Sequence, residues 1–377
     1  MRDSRHKSDA TRTSAADAPR SLMLMIDTER SVTSSSPVAS TKTAVGPAMT
    51  DDAGMPGNVR PDVSVIVVNY NTAHLLHDMW NALIASQAEL SLEIIIVDNA
   101  SRDHSVNLLQ TDPCFARARL IVNAENVGFG RANNQGMQHA TGRYVLLLNT
   151  DAFLSADTLR KTVGHLDTHP RCGVLGVRLV GRDGSLQPSC RYFPTPWNVF
   201  LWSSGLNRFF PNVRMVDDMD WDHASSRECD WMPGCYLLVR KEVIDAVGLF
   251  DPRYFLYSEE VDFCHRAKQA GWQSTYFADT TVIHLGGESA KSDSVLTAAG
   301  QQISALQVES ELLYFRKHYG AAGLSVFVCL SWLADFINAA KWLLKGRSFR
   351  GLSAIRNHAT SVVLLLFKTG WGSSPTR

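Results

Sequence analysis

The chain has 377 residues, 45% of them hydrophobic, an ordinary content for a globular protein with a full core. Its 37 basic and 37 acidic residues leave no formal net charge, which removes the global basic excess of a nucleic-acid binder. The seven cysteines are odd in number, scattered and without a Cys-x-x-Cys pair, a usage that suits a reducing compartment better than a disulfide framework or a zinc site.

Residues 1–60 are rich in Ser, Thr, Ala, Asp and Arg without a sustained apolar period, so they read as a disordered tail unable to offset its ordering entropy. The apolar piece Leu22–Ile26 is too short and too far in for a signal peptide, and Met49 and Met55 stand as alternative starts. Three apolar strands with polar tips follow. Val63–Val68 ends in Asn69-Tyr70-Asn71-Thr72, Glu93–Val97 ends in Asp98-Asn99-Ala100-Ser101, and Tyr144–Leu148 ends in Asn149-Thr150-Asp151. Buried strands that stop abruptly at polar residues deliver side chains to the crevice at their C-terminal ends, so Asp151 reads as a site residue.

Helical patterns at His74–Ser86, Ser105–Leu109, Gly130–Ala140 and Ser155–Leu166 alternate with these strands and predict parallel βαβ units, with Ser155 as N-cap of the last helix. Beyond them come short strands near Val174–Leu179 and Tyr236–Val239, a loop rich in Trp and Pro, and a helix over about Val261–Ala270. The last section carries two apolar runs, from Leu324 and over Val362–Phe367. Asp335, Asn338 and Lys341 interrupt the first before the roughly 20 residues a spanning helix needs. From Phe336 onward there are seven Lys or Arg and no Asp or Glu, so interfacial helices with basic flanks are predicted.

Val65–Asn71, Val97–Ser101, Asn126–Gly136 and Leu148–Asp151, taken in order, resemble a family 2 inverting glycosyltransferase of the GT-A fold, in its rhamnosyltransferase-like branch. The resemblance covers about residues 61–290 and implies an α/β fold, a Rossmann-like mixed sheet flanked by helices. Together with the tail and the C-terminal runs read above, it divides the chain into a tail (1–60), a catalytic domain (61–292), a helical extension (293–320) and membrane-associating helices (321–377). It further implies a nucleoside-diphosphate-sugar donor, either dTDP-rhamnose or a UDP-sugar, and Mg²⁺ or Mn²⁺. The acceptor would be a hydroxyl of a glycan or polyprenyl-linked molecule, at the cytoplasmic face of the plasma membrane.

By that resemblance Asp98 accepts the imino hydrogen of the base. Asn69, Tyr70 and Asn71, together with Asn126, Gly128, Gly130 and Asn133, border the donor, where glycines allow close backbone approach. Asn149-Thr150-Asp151 matches a reduced metal motif, with Asp151 and His284 as ligands and oxygen-seeking hard cations as the expected occupants. Trp231 and Gly234 border the sugars, and Ser289 and Lys291 lie where a loop reaches the diphosphate. Glu260 is the expected catalytic base, with Glu259 as its alternative, because direct inversion needs one base within reach of the acceptor hydroxyl.

Three other readings compete. A processive synthase would show a Gln-x-x-Arg-Trp motif and spanning helices, and an oxidoreductase would carry a Gly-x-Gly-x-x-Gly after the first strand. The third is a catalytically silent nucleotide-sugar-binding or scaffold protein, kept in view by Asn149 and Glu260 where the family usually carries Asp.

Overall fold

A computed structural model describes residues 60–286, 300–344 and 350–377. The expected tail, apart from Arg60, and both Ser289 and Lys291 lie outside the described residues.

Strands β1 (Val63–Asn69), β2 (Leu92–Asp98), β3 (Arg119–Val122) and β4 (Tyr144–Asn149) are parallel in the order β3-β2-β1-β4. Helices α1 (Ala73–Ser86), α2 (Ser105–Thr111) and α3 (Phe129–His139) make the crossovers. Alternate residues of β1 enter different layers, as the period of two requires. Val63, Val65 and Val67 pack with Leu76, Met79 and Leu83 of α1, while Ile66 packs with Met137 of α3 on the other face. Each such fully buried side chain contributes about 1.5–3 kcal/mol.

Beyond β4 the sheet becomes mixed. Antiparallel β9 (Tyr236–Arg240) joins β4 to β6 (Cys172–Val180), and β6 pairs in parallel with β10 (Gln273–His284). β5 (Ala152–Leu154) closes the row antiparallel to β10, while β7 (Leu186–Gln187) pairs β6 and β8 (Arg227–Cys229) pairs β10. Helices α4 (Thr158–Thr168), α5 (Pro196–Ser204), α6 (Lys241–Val247) and α7 (Glu259–Gln269) complete the layers. This is the helix-flanked mixed α/β sheet that the sequence predicts.

Two sequence expectations need correction. Ser155 does not cap α4; β5 occupies the residues after Asp151, the helix starts three residues past Ser155, and the Ser155 hydroxyl donates to the Thr281 carbonyl instead. The Trp- and Pro-rich stretch is not all loop, because it contains α5. Thr195 and Asn198 form a reciprocal capping box there, with Pro196 at the first helical position.

Helix α8 (Gly300–Leu344) changes direction at Gly320, whose φ of 68° interrupts the helix, and α9 (Arg350–Lys368) packs against it through Val362 and Leu366. Before the kink, Leu312, Tyr314 and Phe315 share a core with Phe250, Tyr254 and Phe263. Lys317 and His318 grip Asp262 on α7 at 2.6 and 2.7 Å, and Arg266 binds the same carboxylate at 2.9 Å. Burial alone would raise the Asp262 pKa, but His318 and Lys317 hold it below the usual carboxylate range. Asp262 thus braces α7 rather than capping it.

Candidate active site

The register places three polar tips side by side, with Asn69 opposite Asp98 and Val68 opposite Asn149. A chain of hydrogen bonds crosses them. Asn69 Nδ2 donates to Asp98 Oδ2 at 2.7 Å, Thr72 Oγ1 donates to Asn69 Oδ1 at 2.7 Å, and Thr150 Oγ1 meets Thr72 Oγ1 at 2.8 Å. All four residues are buried, so this network fixes the spacing between the loop after β1 and the segment that bears Asp151. The Asp98 carboxylate also accepts from the Ser101 amide at 2.9 Å and has no exposed surface.

Next to these tips lies a cavity of about 390 Å³ whose wall includes Tyr70, Ser101, Arg102, Asn123, Glu125 and Asn126. Asn71 and Ala100, with φ of 55° and 67°, turn the two loops around it, and Asn71 Oδ1 accepts from the Arg102 amide at 2.6 Å. Asn126 Oδ1 accepts from Asn99 Nδ2 and from the Gly128 amide, closing the far side. Arg102 and Glu125 belong to the wall but carried no motif signal in the sequence.

At Gly128 the close approach is made by the protein itself. Its φ of 91° is a glycine conformation, and an added Cβ would lie 2.8 Å from the Phe255 ring and closer still to the Phe255 carbonyl. That carbonyl accepts from the Phe129 amide at 2.8 Å, so the start of α3 is fastened to the loop that precedes α7. Gly130 faces Glu259, and Asn133 is buried with its amide donating to the Phe129 carbonyl.

Asp151 follows β4, and antiparallel pairing of β5 with β10 sets His284 opposite Ala152. His284 Nε2 consequently stands 3.6 Å from Asp151 Oδ1. Gln187 on β7 sets the tautomer. Its amide nitrogen donates to the His284 carbonyl at 2.8 Å, leaving its oxygen to accept from Nδ1 at 2.8 Å. The proton is then on Nδ1, and the Nε2 lone pair faces a carboxylate. Burial lowers the His284 pKa against the pull of Asp151, which keeps that lone pair available. An imidazole nitrogen and a carboxylate oxygen facing one another suit a hard divalent cation, with Gln187 as the outer partner that orients the ligand. Among the described residues no cluster of three His, Cys, Asp or Glu that could hold a metal ion is present.

Tyr257 and Ser258 have φ of 72° and 67°, two successive left-handed residues that swing the chain into α7. Side chains disfavour that region by roughly 1–2 kcal/mol each, and such cost is characteristically held at functional sites. The turn presents Glu259 and Glu260 at the helix start. Glu259 is 2% exposed, packs beneath Gly130, and has its pKa raised well above the usual value by burial and by Glu260. Glu260 lies near Arg191 and Gly234 instead. Burial raises its pKa too, while the Arg191 guanidinium and the Gly234 amide draw it back.

Arg191, which the sequence reading missed, lies over the Trp231 ring at 4.7 Å and pairs with Asp217 at 2.8 Å. Trp231 is buried and its indole donates to the Tyr192 carbonyl. Gly234 leaves room for the Phe129 ring, and the next residue, Cys235, accepts from the Asn149 amide at 3.0 Å. Burial pushes the Cys235 thiol up, and both Asp151 and Glu260 push it further, so both acids lie near the Gly234-Cys235 segment.

Residues 64–218 match the model of the family described as glycosyl transferase family 2. The chain is 27% identical over 243 residues to an N-acetylglucosaminyl-diphospho-decaprenol L-rhamnosyltransferase of Mycobacterium tuberculosis, covering 61% of this chain and 78% of that protein. It is 24% identical over 217 residues to the low-salt glycan biosynthesis hexosyltransferase Agl10 of Haloferax volcanii, covering 55% of this chain and 62% of that protein. Among solved structures, a mannosyltransferase from Pyrobaculum calidifontis is similar at a TM-score of 0.47 and 17% identity, over 84% of this chain and 91% of that one.

Proposed function

With residues 64–218 forming a glycosyl transferase family 2 domain, we propose that the chain transfers a sugar, rhamnose favoured, from a nucleoside diphosphate to a hydroxyl of a glycan or polyprenyl-linked acceptor. Transfer inverts the anomeric centre and serves cell-envelope polysaccharide synthesis at the cytoplasmic membrane face, with residues 61–292 as the catalytic domain. The observation that carries this reading is the 3.6 Å approach of His284 to Asp151, with Asp151 and Glu260 both near the Gly234-Cys235 segment. The relatives support the donor sugar and the envelope setting, since one is named a rhamnosyltransferase and another a glycan biosynthesis hexosyltransferase.

In this reading the cavity beside Tyr70, Ser101 and Asn126 takes the base and ribose, and Asp98 holds the loop that forms its wall. Asp151 and His284 would hold Mg²⁺ or Mn²⁺, which when bound neutralises the departing diphosphate. Glu260 takes the proton of the acceptor hydroxyl, and its raised pKa brings it nearer the working pH of a general base. Trp231 and Arg191 shape the acceptor side, and the Arg191 charge opposes the burial that raises the Glu260 pKa.

Calorimetric titration with a panel of nucleoside-diphosphate sugars, each with and without Mn²⁺, tests the reading. Metal-dependent binding of one donor, followed by its transfer to a lipid-linked acceptor, is the expected result. Absence of binding by folded protein across dTDP and UDP sugars would overturn it in favour of a silent scaffold.

A further inference from the structure

By length and composition α8 is the helix, among the described residues, that could cross a membrane. Its packing points elsewhere. Beyond Gly320, Leu330, Ala334 and Ile337 pack with Phe200 and Leu201 of α5. Further along, Asn338 Nδ2 donates to the Ser203 carbonyl at 2.9 Å and Lys341 Nζ donates to the Ser204 carbonyl at 2.6 Å. A helix crossing a bilayer would have to abandon each of these partners, all of which belong to the sheet-bearing part of the chain. A helix held along that part almost to its last turn is packed as a domain helix rather than a spanning one.

The side of α8 turned away from these contacts is apolar and open, with Phe336 71% and Leu344 87% exposed. At the same end, the last turn of α5 carries Trp202 and the tip that follows it carries Phe209, 58% and 63% exposed, with the Arg208 guanidinium 4.7 Å from the Phe209 ring. The hydrogen bonds from Asn338 and Lys341 land on the two residues directly after Trp202, so the two apolar surfaces are tied together. From Phe336 to Lys368 the chain has six Lys or Arg and no acid, a charge that matches anionic phospholipid headgroups. Large aromatics beside basic groups are the composition of the bilayer interface.

We propose that the distal part of α8, α9 and the aromatic tip after α5 form one monotopic docking surface for an anionic phospholipid bilayer. The tip inserts as a second anchor supplied by the family 2 region itself. The chain leads from Arg191 and Tyr192, which flank Trp231, straight into α5. Docking therefore sets the acceptor side of the site beside the lipid surface, a consequence that rests on the proposed lipid-linked acceptor. The docking itself does not depend on the reaction and is measured without donor or acceptor.

The experiment is flotation of the full chain with phosphatidylcholine vesicles, with and without phosphatidylglycerol. The protein is expected to float with the anionic vesicles, less so in high salt, and the exposed-site variant Trp202→Glu/Phe209→Glu to bind about tenfold more weakly. An unchanged thermal melt shows that this variant is folded. Leu344→Glu, at the open end of α8, provides a second variant with the same expected direction. Flotation of both variants equal to that of the unaltered chain would overturn the proposal, as would failure of the unaltered chain to float. Retention of the unaltered protein in cell membranes after alkaline carbonate extraction would show a spanning helix and also overturn it, whereas release supports in-plane docking.

Discussion

Replacing Gly128 with Ala probes the joint between the donor loop and the loop that carries the two glutamates. At φ 91° and ψ 162° the backbone lies in a region that is essentially glycine's alone, costing an alanine roughly 1–3 kcal/mol. The new methyl also meets the Phe255 carbonyl and ring, and the carbonyl cannot retreat without breaking its bond from Phe129, worth about 1 kcal/mol. Crowding of a packed contact adds about 1 kcal/mol or more, giving a loss of roughly 3–5 kcal/mol. A melting temperature lower by at least about 6 °C is expected in calorimetry, together with weaker donor binding. Gly130→Ala is the control. Its Cβ finds contacts of 3.4 Å and helical backbone, so it should be close to neutral. A Gly128→Ala protein that melts with the unaltered chain and binds donor equally well would refute the reasoning.

Glu260→Gln should abolish transfer while leaving donor affinity within about threefold, and the acid limb of the rate profile of the unaltered enzyme should lie above the usual carboxylate range; equal rates in the two proteins would remove Glu260 from the mechanism. Glu259 is a buried acid whose folded pKa exceeds its unfolded value, so the folded state binds the extra proton and stability falls as pH rises from about 4 toward the folded pKa. Glu259→Gln should flatten that fall, and urea unfolding at pH 5 and pH 8 checks it, an unaltered slope being the contrary result. Gln187→Leu frees His284 to rotate and should weaken Mn²⁺ binding about 10–100-fold by calorimetry, with little change in melting. Thr150→Val interrupts the polar chain across the strand tips and should cost about 1–3 kcal/mol in chemical unfolding, a loss under half of that being evidence against the network.

The parallel half of the sheet was legible because β1, β2 and β4 are apolar on both faces and stop at polar residues, a pattern that neither a helix nor a half-exposed strand shares. The second half was read only in part. β5, β7 and β8 are two or three residues long, below any detectable period, yet β7 supplies Gln187 and β5 brings Asp151 to His284. Helix α5 escaped because its Pro196 and flanking aromatics resemble loop composition, although Thr195-Pro196 is a helix start once Asn198 is seen as the reciprocal cap. Arg191 had no local signature, since its meaning comes from Trp231, forty residues later in the chain. For the same reason sequence spacing could not separate Glu259 from Glu260. Adjacent residues on a helix point about 100° apart, and only packing shows which of them lies beneath Gly130.

The brace at Asp262 ties the origin of α7 to a helix that arrives from far along the chain. Because Lys317 and His318 both close on the buried Asp262 carboxylate, α7 cannot rotate about its axis to exchange Glu260 for Glu259 without first parting two charged or hydrogen-bonded partners on the other helix. The choice between two neighbouring acids is therefore locked mechanically, by a clamp one turn beyond them, and any loosening of the segment before Gly320 would be felt as a loss of aim rather than a loss of chemistry.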